Sequence, residues 1–505
     1  MSFTSFDFLF FIPIIAALYY ITPYTKRWIV LLTGSYFFYL SFKLEFLPWI
    51  IMMSVIVYVL ALLLEKFHTH RIKKLIMLLG VFFVAGVLIL LKYNSFLLTN
   101  INYLLSIFKI NAKQIEIGYV TPLGISYFSF VMISYLLDVY NDKIKAEHHL
   151  GKFAVYVAFF PKLIAGPIEK AKDFIPQLSV NTDVKYENIS NGVKLILLGF
   201  FKKVVIADRL SEAVNKLYGG IAEYSWISIL FVVFLYSFQL YADFSGYTDM
   251  ARGIGKLFGI NLTENFKRPY LSSSISELWR RWHISLSNWL RDYIFLPLSY
   301  SIARKAMKKS LGSNPNPSKT RSYSYKLFKP EYISYIAAIF ITMTICGIWH
   351  GANWNFIIWG ALQGIFLIIA FLYRRNKKKL YKRISINKSF RFVTSVIFTY
   401  AFFSLSLIFF RADTFTDAIL IFRKILSMDN GVLIASLFKN GWDLVSSIIL
   451  ILAFIVIEIF LEFREKAGKP YELYKYINIP AALILLLIIF VFGKFTLNDF
   501  LYFKF

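Results

Sequence analysis

A single cysteine, Cys346, in 505 residues rules out an intramolecular disulfide and a thiolate metal centre. Acidic residues are scarce as well, 29 against 56 Lys and Arg, for a net charge of +27. Such an excess would suit nucleic acid if it covered one soluble surface, but it does not. The basic residues crowd into short segments between apolar runs: Lys26 and Arg27, Arg71 to Lys74, Arg304 to Lys309, and Arg374 to Arg391. That is the positive-inside pattern of a membrane protein lying against anionic headgroups, and nucleic acid is excluded as a partner. The first apolar run, Phe6 to Ile21, has no basic segment before it and no small-residue cleavage site after it, as expected of a retained span and not of a signal peptide. Repeats of fixed period and inverted halves are also missing. Acids within the apolar runs are few, which argues against a proton-coupled transporter.

What the chain does have is apolar bulk, 58% hydrophobic and 19% aromatic residues. It comes in runs of roughly 17–22 residues, the length a helix needs to cross about 30 Å of hydrocarbon. Candidate spans are 6–22, 28–42, 46–64, 75–91, 119–140, 226–241, 332–349, 353–373, 392–410, 444–462 and 479–495. The shorter pieces 153–168, 193–206 and 282–299 carry Pro, Gly or charge and suit re-entrant or interfacial helices packed inside protein. The sequence thus predicts an all-α polytopic membrane protein with about eleven spans, forming a single domain over 1–505. With the basic loops inside, the N-terminus lies outside, 332–349 and 353–373 form a hairpin whose turn points outward, and the C-terminus lies outside.

Of six histidines, His68 and His70 fall in EKFHTHRIKK and His148 and His149 in DKIKAEHHLGK. These read as loop histidines and not as a metal site, since no carboxylate or cysteine cluster accompanies them. His283 lies in ELWRRWHISLSNWLRDY, where helical spacing predicts Trp279, His283 and Ser287 on one face. Two readings of this stretch stay open: an interfacial amphipathic helix with its aromatics at headgroup depth, or part of a site. His350 lies in GIWHGANW at membrane depth, where an ionisable side chain is costly and usually functional. Gly347, Gly351 and Ala352 are expected to open space around it, and Trp349, Asn353 and Trp354 to supply stacking and hydrogen-bonding groups to the lining of a site. A neutral imidazole suits deprotonation of a hydroxyl near neutral pH. A structural histidine capping the span is the alternative. Asp243 and Asp249, in YADFSGYTD, are expected to pair structurally with an arginine.

GIWHGANWNFIIWGALQG closely resembles the active-site motif of the membrane-bound O-acyltransferases (MBOAT), in the bacterial branch that includes the alginate O-acetylation protein. The resemblance continues in order through PLGISYFSF, DVY, FFPKLIAGPI, YADFSGYTDMA, LFGINLTENFKRPY and LWRRWHISLSNWLRDYIFLPL, and its core runs from about 119 to 375. It implies helices around a transmembrane tunnel, a catalytic histidine at His350 and its polar partner at His283. It also implies a cytoplasmic acyl thioester as donor, acetyl-CoA or another, and as acceptor the hydroxyls of an exported polysaccharide or cell-wall glycan. A secreted or membrane-anchored acetyl-transferring partner protein often completes such systems. The chain end FLYFKF resembles the closing aromatic motif of the branch, and also the end of a small protein that serves the teichoic acid D-alanylating member, where a tyrosine carries the acyl group. That makes Tyr502 a candidate relay, with an aromatic interface anchor as the alternative. D-alanyl transfer and peptidoglycan O-acetylation are the neighbouring chemistries. The chain departs from the pattern in reading LSYSIARKAMKK where relatives often carry Gly-Gly, and in its long segment from about 304 to 331.

Overall fold

A computed structural model describes residues 1–109, 120–312, 330–383, 387–469, 472–495 and 500–501. Among them the chain is helical, and its one extended pairing is an isolated bridge between Tyr224 and Val432. Hydrocarbon offers no hydrogen bonds, so each backbone N–H and C=O must find its partner within the segment, as a helix allows. Among the described residues seven helices are long and apolar enough to cross a bilayer: Phe46–Lys66, His70–Ile107, Trp226–Leu257, Tyr332–His350, Trp354–Tyr373, Lys388–Arg411 and Gly441–Lys466. Each coincides with an expected span. The other four expected spans are helices of only 14 or 16 residues, Phe6–Ile21, Arg27–Leu40, Ile125–Tyr140 and Ile479–Phe492. At 1.5 Å per residue these reach about 21–24 Å, short of a full crossing. Ile479–Phe492 still turns Ile479, Leu483, Leu487 and Phe490 outward, an apolar face suited to lipid and not to water.

The helices form two compact units interleaved in sequence. The first comprises residues 1–216, 235–265 and 434–505. Within it, Ile125–Tyr140 buries every side chain except Leu137 and Tyr140, with Phe46–Lys66 and His70–Leu88 packed along it. This explains why an apolar run of span-like composition belongs to the interior. Residues 153–168 are wholly buried and break at Phe159 between Leu150–Ala158 and Phe160–Leu163, the placement expected for irregular backbone in a membrane protein.

Tyr186–Phe200 continues through a π-helical turn, Phe201–Ala207, into Asp208–Tyr218. Gly192 and Gly199 meet Gly253 and Gly246 of Trp226–Leu257: a Cβ on Gly199 would lie 2.5 Å from the Gly246 carbonyl oxygen. Lipid tails give helices no hydrophobic reason to associate, so small residues that let backbones touch supply the packing. The π turn carries Lys202 and Lys203, and both reach the same neighbouring helix. Lys202 lies 2.7 Å from Asp249, which Arg252 also approaches at 3.5 Å. Asp243 departs from expectation, pairing at 2.8 Å with Lys203 and not with an arginine. Partners on different helices are set by the packing, which residue spacing does not report. Of the loop histidines, His148 lies 3.0 Å from Glu65, and His149 accepts the Lys152 N–H at the start of Leu150–Ala158.

The second unit comprises residues 217–234 and 266–433. Pro330–His350 and Trp354–Arg383 form the expected hairpin, and Lys388–Arg411 packs against the second helix. Phe415–Ser427 follows, opened by a reciprocal cap between Thr414 and Asp417. Ahead of the hairpin lie two short helices, Ile275–Arg281 and Ile284–Leu290, then a π turn at Arg291–Phe295 and the helix Leu296–Gly312.

Gly199→Ala is expected to wedge the glycine seam apart and lower stability by about 1–3 kcal/mol, an overpacking cost. Gly86→Ala, where an added Cβ meets nothing within 4 Å, is expected to be neutral or stabilising by up to about 1 kcal/mol. Thermal unfolding in detergent, followed by tryptophan fluorescence, separates the two; equal midpoints would remove the seam as a packing contact.

Candidate active site

His350 closes the first helix of the hairpin and is 3% exposed. Its position follows from the turn it begins. Gly351, Ala352 and Asn353 reverse the chain, and the Asn353 side chain accepts the Asn355 N–H, opening the next helix. Asn353 and Asn355 also donate to the carbonyls of Asp413 and Ala412, tying the turn to the end of Lys388–Arg411. That tie brings Phe410 edge-on to His350, ring centres 5.1 Å apart, with Trp359 edge-on at 5.2 Å and Trp349 at 4.9 Å. The imidazole therefore sits in an aromatic box.

The neighbouring glycines act opposite to expectation. They close space around the histidine. A Cβ on Gly347 would fall 2.2 Å from the Phe356 carbonyl oxygen and 3.0 Å from the Gly360 Cα, and one on Gly351 would strike the Phe356 ring. Their missing side chains are occupied by the second helix of the hairpin, which is how Trp359 comes close enough to touch His350.

His283 is fully buried, and the expected continuous helix breaks at it. Its backbone is left-handed, φ 43° and ψ 56°, and its carbonyl accepts the Ser287 N–H to start a new helix. Trp279 and His283 accordingly belong to different helices and do not share one helical face. A left-handed non-glycine residue costs about 1–3 kcal/mol and persists where its surroundings over-determine it. Here Trp282, beside it, packs on Phe266, Tyr270 and Phe403, while the His283 ring meets Trp349 at 6.0 Å. Both histidines thus contact one tryptophan. His283 lies outside the spanning helices, and burial lowers its imidazole pKa to about 3, so it is neutral throughout the physiological range.

Of the residues expected to line a site, Trp349 joins the two histidines. Asn353 serves the turn, and Trp354 is 54% exposed at the start of its helix. Tyr502 lies outside the described residues. Three residues went unnoticed in the sequence: Trp359, Gln363 and Phe410. Trp279 donates to the Gln363 side chain at 3.3 Å, and Gln363 donates to Ser406 at 2.8 Å, a buried polar chain beside the aromatic box, since Trp279 also packs on Trp359. Gln363 was findable as a polar residue inside an apolar span. Phe410 was not, being one of 53 phenylalanines.

A cavity of about 1020 Å³ opens in the same unit, lined among others by Ser273, Arg280, Tyr335, Phe366, Tyr373 and Thr394. Arg280 is the neighbour in sequence of Trp279, and its side chain is exposed.

Residues 119–311 match the profile of the MBOAT, membrane-bound O-acyltransferase, family. The chain is 36% identical over 375 residues to the probable alginate O-acetylase AlgI of Azotobacter vinelandii, covering 73% of this chain and 68% of that protein. It is 32% identical over 451 residues to the peptidoglycan O-acetyltransferase of Helicobacter pylori, covering 84% and 78%. Against the teichoic acid D-alanyltransferase of Streptococcus thermophilus the identity is 30% over 329 residues, covering 63% and 69%.

Because the His283 pKa lies below its unfolded value of about 6.5, the unfolded chain binds the proton first on acidification. The stability this burial contributes is complete above pH 6.5 and falls as pH drops toward 3. Asparagine tolerates the left-handed backbone and does not titrate. His283→Asn is therefore expected to flatten the acid-side loss of thermal stability between pH 6.5 and 4. An unchanged slope would mean that the imidazole is hydrated and titrates normally.

Proposed function

The chain belongs to the membrane-bound O-acyltransferase family, and we propose that it moves an acetyl group from a cytoplasmic acyl thioester, acetyl-CoA, to hydroxyls of an exported polysaccharide or cell-wall glycan. It is a multi-pass membrane enzyme that catalyses O-acyl transfer. The observation that carries the finer reading is the pair of buried histidines sharing Trp349, one of them sealed in an aromatic box at the hairpin turn.

In this reading His350 is the general base. It takes the proton of the attacking hydroxyl as the hydroxyl oxygen closes on the thioester carbonyl carbon. Collapse of the tetrahedral intermediate breaks the C–S bond, and the departing thiolate recovers the proton as a thiol. His283, held neutral, donates a hydrogen bond to the carbonyl oxygen. By the direct route the hydroxyl belongs to the acceptor sugar. By the relay it belongs to Tyr502: an acetyl-tyrosine ester forms, and the sugar hydroxyl then displaces the phenol, which regains its proton. A phenol of pKa about 10 serves well as nucleophile beside a base and as leaving group afterwards. General-base assistance contributes about 10²–10⁴-fold, and a dry, pre-positioned site contributes much of the remainder.

The cavity with Arg280 suits the donor. Tyr373 and Thr394 on its wall flank the basic segment from Arg374 to Arg391, the cytoplasmic side by the positive-inside rule. The serine and threonine hydroxyls and the Arg280 guanidinium match a phosphate-bearing carrier, and the phenylalanines match its apolar arm. Both termini lie outside in this reading, and a secreted or membrane-anchored partner protein passes the acetyl group onward. Peptidoglycan is a strong candidate acceptor beside alginate-like polysaccharide, since the Helicobacter pylori relative matches more of this chain than the alginate relative does.

Full-length protein in proteoliposomes with radiolabelled acetyl-CoA and glycan acceptor tests this reading. His350→Ala is expected to lower transfer per folded protein by about 10²–10⁴-fold, the folded fraction being read from the thermal midpoint. Transfer within twofold of wild type would remove His350 as the base. Arg280→Gln is expected to raise the KM for acetyl-CoA by about tenfold or more with kcat little changed, the signature of lost donor binding. An unchanged KM would detach the cavity from the donor.

A further inference from the structure

Gln363 is fully buried in the part of Trp354–Arg383 that is apolar enough to cross a bilayer. A primary amide brings donors and an acceptor that hydrocarbon cannot satisfy, so placing one here is costly unless protein groups meet it. They do, and they come from two different helices. The Gln363 side-chain oxygen accepts the Trp279 indole N–H at 3.3 Å, from Ile275–Arg281. Its side-chain nitrogen donates to the Ser406 hydroxyl at 2.8 Å, on Lys388–Arg411. That hydroxyl passes its own proton to the Phe403 carbonyl at 2.6 Å, which completes the chain. One amide thereby joins three helices by directional bonds, in a place where an apolar side chain of similar size would only fill volume.

Two walls of the box around His350 are tied to this amide. Trp359 lies one turn before Gln363 on the same helix, and Trp279 packs on its ring with centres 5.9 Å apart. Phe410 lies one turn after Ser406, 5.0 Å from the Trp359 ring and 5.1 Å from His350. Trp359 has no hydrogen bond of its own to orient it. Its indole N–H is buried and finds no acceptor among the described residues. Packing alone sets this ring, and it is set by Trp279 and Phe410. Contact of that kind weakens steeply once rings part by a fraction of an ångström. The placement of Trp359 against His350, centres 5.2 Å apart, thus depends on bonds that neither ring makes.

We propose that Gln363 is a positioning residue for the His350 imidazole. Its amide holds Trp279 and the turn of helix at Ser406 at the spacing that keeps Trp359 and Phe410 closed on the ring. The importance of this for transfer rests on the reading of His350 as the base. A base acts only within hydrogen-bond reach of the proton it takes, and a small displacement of a correctly folded side chain costs rate before it costs binding.

The test uses full-length protein in detergent and in proteoliposomes. Gln363→Met keeps the length of the side chain and removes the amide. Two readouts separate placement from folding. In protein carrying isotope-labelled histidine, the NMR resonance of the His350 ring is identified by its absence from His350→Ala. Acetyl transfer per folded protein then gives kcat and the KM for acetyl-CoA. Gln363→Met is expected to move the His350 resonance and to lower kcat by about tenfold or more, with KM within about twofold of wild type. Ser406→Ala removes one end of the polar chain. It is expected to change both readouts in the same sense, and it replaces Gln363→Met should that variant fail to fold. Gly86→Ala, in the other unit, serves as the control that changes neither. An unmoved His350 resonance in folded Gln363→Met would overturn the proposal. So would a moved resonance with kcat unchanged while His350→Ala is inactive. A moved resonance with transfer intact in both Gln363→Met and His350→Ala would sink the base reading instead, and would leave Gln363 as the residue that places the ring.

Discussion

The setting of His350 depends on how closely two backbones can lie in the hairpin that carries it. Gly347 faces Gly360 and the Phe356 carbonyl with no room for a methyl group between them. In lipid, helices gain little by hiding apolar surface from one another, so contact is won by van der Waals fit. The fit at these two glycines brings Trp359 against His350 and the polar chain from Trp279 through Gln363 to Ser406 against Trp359. A wider hairpin would leave the imidazole beside a void or beside lipid, and in neither place would it be enclosed by aromatic rings.

A second constraint runs through both units: any titratable group taken out of water must be neutral, paired or costly. The second unit uses neutrality. His283 loses its proton affinity by burial and is walled by Phe266 and Trp349, so it sits there as a neutral ring and not as a charge. The first unit uses pairing, with Lys202 on Asp249 and Lys203 on Asp208 and Asp243. The same physical pressure therefore yields a neutral, walled histidine in one unit and a buried ion-pair cluster in the other.

Much of this was legible before any coordinates. Long apolar runs coincide with the seven helices that are long and apolar enough to cross a bilayer among the described residues, and the basic segment 374–391 beside two such runs identified the hairpin. Elimination among six histidines left His283 and His350, because the others fall in polar stretches of the sequence where a histidine costs little. Less was legible about local geometry. Helical spacing put Trp279 and His283 on one face, yet the chain breaks between them, since the left-handed backbone at His283 is imposed by the packing of its neighbours and not by its own propensity. The four short apolar helices looked like spans because a helix walled by protein and a helix walled by lipid carry the same composition, and Ile125–Tyr140 is of the former kind.

The sequence by itself determined the solvent and the helical class and set two histidines, His283 and His350, apart from those in polar stretches, since each follows from composition and from the cost of placing an ionisable side chain in an apolar run. Only the tertiary structure decided that the glycines beside His350 close space around it, that Trp349 is common to both imidazoles, and that Asp243 answers a lysine. The reason is the same in each case. These are relations between residues distant in the chain, set by how helices pack, and packing depends on shape and mutual fit, which a linear pattern of residue types does not encode.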